Sequence, residues 1–184
     1  METATATKTK WSLDTMHSEI GFKVKHMMIA NVSGSFEKFD AQVETDDSDF
    51  TTAKIQFTAD INSITTGNKD RDNHLKSPDF FDAANYAELK FISSKFEKED
   101  DENYVLHGNL TIRDVTKPVK LDVEFGGIGK DPWGNHKAGF TITGKIKRTD
   151  FKLNYNAALE TGGVLVGEEV KLQAEIQLVK QASS

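Results

Sequence analysis

The sequence predicts an all-β protein: an antiparallel barrel or sandwich of about eight strands with one short helical insertion. Three observations carry this expectation. Apolar and polar residues alternate through stretch after stretch, most cleanly where Ala53, Ile55, Phe57, Ala59 and Ile61 face one way and Lys54, Gln56, Thr58 and Asp60 the other. Turn-forming clusters of hairpin size separate these stretches. A single long segment, residues 65–82, breaks the alternation and carries helix signals instead. The alternation alone does not choose between a closed barrel and two packed sheets.

Residues 1–10 are rich in Thr and Lys, without period, and are expected to fray. A single folded domain is expected over 11–180, with 181–184 as a tail. A short strand begins at Trp11, and His17 opens a longer one in which Ile20, Phe22 and Val24 alternate with Glu19, Lys23 and Lys25. At 26–31 the alternation stops, and Met27, Met28 and Ile29 form an apolar cluster whose pliable side chains suit gap filling. Val32 and Phe36 then give way to Phe39, Ala41 and Val43. That change of parity near Glu37 implies a bend of the kind that curls a sheet toward closure.

In the segment 65–82, Asn68 is placed to cap a helix over 69–76, Asp70 and Asp72 fall in its favourable first turn, and Pro78 stops it. Asp72 and Lys76 stand four apart, the spacing of a helical ion pair. So short and polar a helix does not hold alone, and Leu75, Phe80 and Phe81 must anchor it to the sheet. The segment reads as a lid over an apolar interior, offering Arg71 and His74 on its polar side.

Further strands are expected at 89–96, 104–112, 119–125, 138–146 and 170–178. Between them lie a charged loop at 97–103, a turn at 114–118 and a glycine-dense loop at 126–135. Residues 154–167 lack periodicity and are expected as a helical turn or an open loop.

Composition narrows the function. With 23 Lys and Arg against 29 Asp and Glu, the net charge of −6 opposes the phosphate neutralisation that nucleic acid requires. Without cysteine there is no thiolate metal site and no cysteine nucleophile. No stretch reaches the length of a transmembrane helix, and the N-terminus holds no apolar run for a signal peptide. On this ground the chain is expected in the cytoplasm, or in the periplasm where a leader has been removed. Twelve Phe beside two Trp and three Tyr supply large apolar side chains with few polar handles, for a core or for a cavity wall.

Catalytic chemistry finds no support. His17 and His26 fall at opposite ends of one expected strand, roughly 30 Å apart at about 3.3 Å per residue. His74, His107 and His136 lie on separate segments without metal-ligand spacing. Asp70 and Asp72 occupy different helix faces, and Gly126-Gly127 leads into strand and turn instead of a phosphate-cradling helix. No catalytic residue, metal or cofactor is therefore expected. What remains is an apolar interior rimmed by Lys69, Arg71, His74, Arg113 and Arg148, whose arginines can grip a phosphate with a two-pronged fork.

Several short motifs stand in order along the chain: Trp11-x-x-Asp14-x-x-His17-Ser18; Ser63-Ile-Thr-Thr-Gly67; Arg71-Asp72-x-His74-Leu75 with Asp79-Phe80-Phe81-Asp82; Gly108-x-Leu110-Thr111-Ile112 with Val115-Thr-Lys-Pro-Val119; Gly139-Phe140; and Arg148-x-Asp150-Phe151. In them the chain resembles the YceI-like family of lipid-binding proteins from about Trp11 to Lys180. The resemblance implies an extended lipocalin-like antiparallel barrel whose long apolar cavity holds a polyisoprenoid chain, such as an isoprenyl diphosphate or a quinone tail, without catalysis. The sequence departs from the family's pattern at Ala87, where Pro is usual, at Asp114, where Gly is common, and at Lys152, where Gly often follows the Asp-Phe pair.

Strand parity then names the expected cavity wall: Phe22, Val24, Phe36, Phe57, Phe91, Leu110, Phe125, Phe140 and Ile142, joined by Leu75, Phe80 and Phe81 from the lid. Arg71, His74, His17 and Arg148 are the head-group candidates. The competing reading is a structural or stress-associated β-protein with a filled core, whose irregular loop serves packing or a homodimer contact. A hydrolase or isomerase acting on such lipids is the third.

Overall fold

The alternating stretches become strands of one antiparallel sheet in a computed structural model that describes residues 8–153, 156 and 166–181. The strands are β1 (Lys8–Leu13), β2 (Glu19–His26), β3 (Ala30–Phe36), β4 (Phe39–Asp46), β5 (Asp49–Asp60), β6 (Ile64–Thr65), β7 (Glu88–Lys98), β8 (Asn103–Ile112), β9 (Val115–Lys130), β10 (His136–Lys147) and β11 (Val166–Lys180). Helix α1 (Lys69–Lys76) lies between β6 and β7. The sheet runs β1-β4-β5-β7-β8-β9-β10-β11, and β1 pairs again with β11, so eight strands close into a ring. The structure thereby decides for the barrel and against the sandwich.

Strand β11 pairs with β10 along one edge and is long enough to serve two partners along the other. Its last residues, Leu178 to Lys180, pair with β1, while the stretch from Val166 to Glu175 pairs with β2. Strands β2, β3 and β6 thus extend the sheet beyond the closed ring as a flap, in which Phe36 of β3 pairs with Ile64 of β6. The bend foreseen at Glu37 is the place where the chain leaves the flap and joins the ring at Phe39. Bulges at Ser93/Lys95 and Gly139/Phe140 add the local twist that closure needs. Gly108 is obligatory for one such close approach: a Cβ there would sit 2.4 Å from the Phe91 ring and 2.6 Å from the Ile92 carbonyl oxygen.

The two ends of the barrel differ. At one, Trp11, Phe50, Phe96, Tyr104, Phe125 and Phe140 pack ring to ring, with centroids 5.1 Å apart for Trp11 and Phe50 and 4.9 Å for Phe50 and Phe140. At the other, α1 and the chain that follows it fold over the opening. The helix starts where expected, with the Asn68 side chain accepting from the Arg71 backbone N–H at 3.1 Å. Its last carbonyls are satisfied by the chain doubling back: the N–H groups of Phe81 and Ala83 donate to Leu75 and Lys76 at 3.0 and 2.8 Å.

Several local expectations change. Lys8, Thr9 and Lys10, expected to fray, are the start of β1, whereas residues 1–7 lie outside the described residues, as do 182–184 of the tail. His17 does not open a strand: Thr15–His17 is a 3₁₀ turn capped by Asp14, whose side chain accepts from the Met16 N–H at 3.2 Å. Met27, Met28 and Ile29 fill no gap, because they form the exposed turn between β2 and β3. The turn expected at 114–118 shrinks to Arg113 and Asp114, with Arg113 in the left-handed region at φ 57°. Residues 126–130 continue β9 instead of looping. The charged loop at 97–103 is shorter than expected, since β7 reaches Lys98 and β8 begins at Asn103. Asp72 pairs with Thr66 instead of Lys76, accepting from its N–H and its hydroxyl at 2.7 Å each. The aperiodic stretch at 154–167 lies outside the described residues except for Asn156, Val166 and Gly167, the last two in β11.

Candidate ligand cavity

The inward rows of the ring strands, the flap and α1 together enclose a hollow of about 390 Å³. Its wall is almost wholly apolar, a direct consequence of period-two alternation around a closed ring. Of the wall residues named from parity and from the lid, Phe22, Val24, Phe36, Phe57, Leu75, Phe80, Phe81, Phe91, Leu110, Phe140 and Ile142 line it. Phe125 does not. The bulge between Gly139 and Phe140 shifts the register beside it, and its ring stacks on Phe140 at 5.0 Å in the aromatic end of the barrel. Parity reasoning missed Ala174 and Ile176 of β11, Val119 and Leu121 of β9, and Ile20 and Val32 of the flap, all of which line the cavity. Their alternation was legible, but which of two apolar rows meets a void depends on the barrel's radius.

Apart from Gln173 at the middle of β11, the polar side chains of the wall are Arg71, His74, Lys25, His26 and Arg148, from α1, from the end of β2 and from the turn after β10, so the charged ones gather at the helix-covered end. Arg71 projects from α1, and no hydrogen bond or ion pair engages its guanidinium among the described residues. His74, one turn on, is tethered: its Nε2 lies 2.9 Å from Asp79 Oδ2 and its ring stands edge-on to Phe80 at 5.1 Å. Phe81 in turn meets Phe36 edge to face at 6.3 Å, so the lid's aromatic residues complete the wall. Arg113 ties the lid to the β8–β9 turn by donating to the Phe80 carbonyl at 3.3 Å, and it lies 5.8 Å from the centre of the Tyr86 ring.

Arg148 touches the cavity but spends its donors on the backbone. Only 3% exposed, it donates from Nε to the Gly167 carbonyl at 2.7 Å and from its terminal nitrogens to the carbonyls of Leu153 and Val166. Burial pushes its pKa down, while the nearby Glu168 carboxylate pulls it up. It acts as a strut between the 3₁₀ turn Arg148–Phe151 and the start of β11. Two of the family departures turn out to be neighbours: Lys152, left-handed at φ 63° where glycine is cheaper, places its Nζ 3.5 Å from the Asp114 carboxylate. That pair lies on the surface and adds no charge to the cavity wall.

His17 does not line the cavity. Its Nδ1 lies 2.8 Å from Asp14 Oδ2, which also accepts from Lys137 at 2.9 Å. Burial tends to raise the Asp14 pKa, but the hydrogen bonds from Lys137 and His17 outweigh it and hold the group at about 2. A carboxylate held low in the folded state stabilises fully above its unfolded pKa of about 4 and loses that contribution as pH falls through the folded value. Asp14→Asn is therefore expected to cost about 2 kcal/mol at neutral pH, with the difference from the parent shrinking between about pH 4 and pH 2. Urea unfolding across that range measures it.

Among the described residues, no group of three or more His, Asp or Glu side chains is close enough to hold a metal ion, and no helix is long and apolar enough to cross a membrane.

A closed antiparallel ring around an almost wholly apolar hollow is the architecture of barrels that hold one small ligand. This chain belongs to the YceI-like family, whose domain model matches residues 11–178. A UPF0312 protein of Staphylococcus epidermidis is 43% identical over 170 residues, which is 92% of this chain and 96% of the relative. The crystal structure of a Campylobacter jejuni YCEI protein superposes with a TM-score of 0.74 at 36% identity, covering 99% of this chain and 100% of that one. A polyisoprenoid binding domain from Saccharophagus degradans, implicated in plant cell wall breakdown, shares the fold with a TM-score of 0.65 at 14% identity, over 93% of this chain and 98% of that domain.

Proposed function

We propose that this protein binds a polyisoprenoid lipid, an isoprenyl diphosphate or a quinone-like molecule, in its barrel cavity and stores or carries it without turning it over. The observation that carries the reading is the cavity: about 390 Å³, walled almost wholly by aromatic and aliphatic side chains, with its charged groups at one end. That volume falls in the range of small-molecule sites, about 300–1,000 Å³. At about 0.8 kcal/mol per buried CH₂, each isoprene unit contributes roughly 3–4 kcal/mol before ordering costs, so affinity needs no special chemistry. The shared fold with a polyisoprenoid binding domain points the same way. The filled-core alternative is disfavoured by the hollow itself, since close packing would leave no void of this size.

Gentle purification followed by organic extraction and mass spectrometry is expected to recover a prenyl lipid, or, from emptied protein, stoichiometric uptake of an added prenyl alcohol or diphosphate. Protein that is repeatedly empty and takes up neither would end the carrier reading. Measurable turnover of a prenyl ligand that disappears in Arg71→Ala, His74→Ala or His17→Ala would replace it with an enzymatic one.

A further inference from the structure

The turn between β2 and β3 runs against the ordinary economy of a soluble surface. Ile29 is 84% exposed, Met28 49% and Met27 45%, so three apolar side chains stand together in water at one hairpin tip. Met27 and Met28 both hold left-handed backbone, at φ 53° and 64°, where glycine or asparagine is the cheaper choice. A tight turn of this kind usually spends such positions on small or polar residues, so large apolar ones call for a partner outside the chain.

The strands below the tip supply a second, independent observation. From Ile20 to Phe36 the flap carries Lys23, Lys25 and His26 and no acidic residue, in a chain of net charge −6. On the outer face Lys23 stands directly opposite Lys171, and Lys171 directly opposite Lys145. Like charges in direct cross-strand register repel. Lys145 has a carboxylate within reach, Glu169 at 3.9 Å, while Lys23 and Lys171 have none among the described residues. Glu19 and Glu175 stand opposite one another four residues along the strands, away from the tip, while Glu168 and Glu169 lie on its tip side, Glu169 opposite Lys147 and beside Lys145. The row lies roughly 13 Å from the tip at about 3.3 Å per residue, near enough for long lysine arms to meet the same plane when the hairpin approaches it at a slant.

We propose that this hairpin docks the protein on an anionic lipid bilayer, with Met27, Met28 and Ile29 entering the interface and Lys23, Lys145 and Lys171 facing the headgroups. An apolar insert joined to a basic cluster is the two-signal combination that peripheral attachment requires. The inference rests on the lipid-carrier reading for its purpose: Lys25 and His26, at the stem of the same hairpin, belong to the cavity wall, so docking sets the cavity's polar end beside the bilayer from which a prenyl chain would enter.

The test is cosedimentation with vesicles of phosphatidylcholine alone and of phosphatidylcholine mixed with phosphatidylglycerol, beside uptake of a prenyl alcohol from an ethanolic dispersion that bypasses the membrane. The unmodified protein is expected to cosediment with the anionic vesicles and to come off as salt is raised. Met28→Ser/Ile29→Ser and, separately, Lys23→Glu/Lys171→Glu are each expected to weaken vesicle binding by about tenfold or more, with uptake from dispersion unchanged. All four side chains are exposed, so the fold should survive. The proposal is overturned if the unmodified protein stays in the supernatant with anionic vesicles or if either double variant cosediments like the parent. It is equally overturned if the tip variant changes only the oligomeric state in light scattering, which would make a second copy the occupant. Vesicle binding without prenyl uptake would leave docking standing and remove the carrier reading. Uptake without vesicle binding would do the reverse.

Discussion

Arg148→Met is expected to cost about 3 kcal/mol of stability, read as a lowered urea midpoint with an unchanged m-value. Two effects oppose each other. Replacing a buried guanidinium with an apolar side chain of similar length relieves the desolvation that lowers the arginine pKa. Against this, the carbonyls of Leu153 and Gly167 lose a charged donor inside the protein, at about 1–3 kcal/mol each, while the Val166 carbonyl keeps the Asn156 side-chain N–H at 2.8 Å. The unpaired carbonyls win because Arg148 is 3% exposed and water does not readily replace its donors. Arg148→Lys should recover only part of the loss, since a point ammonium cannot span the carbonyls that the planar fork reaches together. A loss under about 0.5 kcal/mol in the Met variant would mean that the guanidinium is not a strut.

Arg148 also marks a boundary of what the sequence discloses. As one charged letter at the end of an apolar strand, it reads as a rim cation free to meet a phosphate. Only the fold shows Leu153, Val166 and Gly167 converging on it. His17 and Asp72 are alike in this respect: the partners that fix them, Asp14 with Lys137 and Thr66, follow from the turn conformations and from a contact 123 residues away in sequence. By contrast, the cavity wall was largely legible, because alternation around a closed ring leaves an inward side chain nowhere else to go. The exception, Phe125, sits beside a bulge, and one displaced residue changes what a side chain faces. The helix was legible to the residue, since Asn68 and Pro78 are local signals that need no tertiary context. The tip at Met27–Met28–Ile29 was misread for the opposite reason: its residue types argue for burial, and the hairpin geometry overrides them.

Those placements isolate Arg71 as the head-group residue to test. Of the four polar candidates, His17 does not line the cavity, Arg148 is committed to the backbone and His74 is held by Asp79, whereas the Arg71 guanidinium stands at the cavity's polar end without a partner among the described residues. Arg71→Ala is expected to weaken a prenyl diphosphate by roughly 10- to 100-fold, since a charged hydrogen bond in a partly dry site contributes about 1.5–3 kcal/mol. The corresponding prenyl alcohol, with the same tail and no charge, should bind within about twofold of the parent, because nearly all of its affinity comes from the apolar wall. Arg71→Lys should fall between the two, keeping the charge and losing the fork. Titration of both ligands into all three proteins by calorimetry separates head from tail. Equal losses for alcohol and diphosphate would assign Arg71 to the packing of α1 over the cavity, and no loss for either would move the head group elsewhere along the rim.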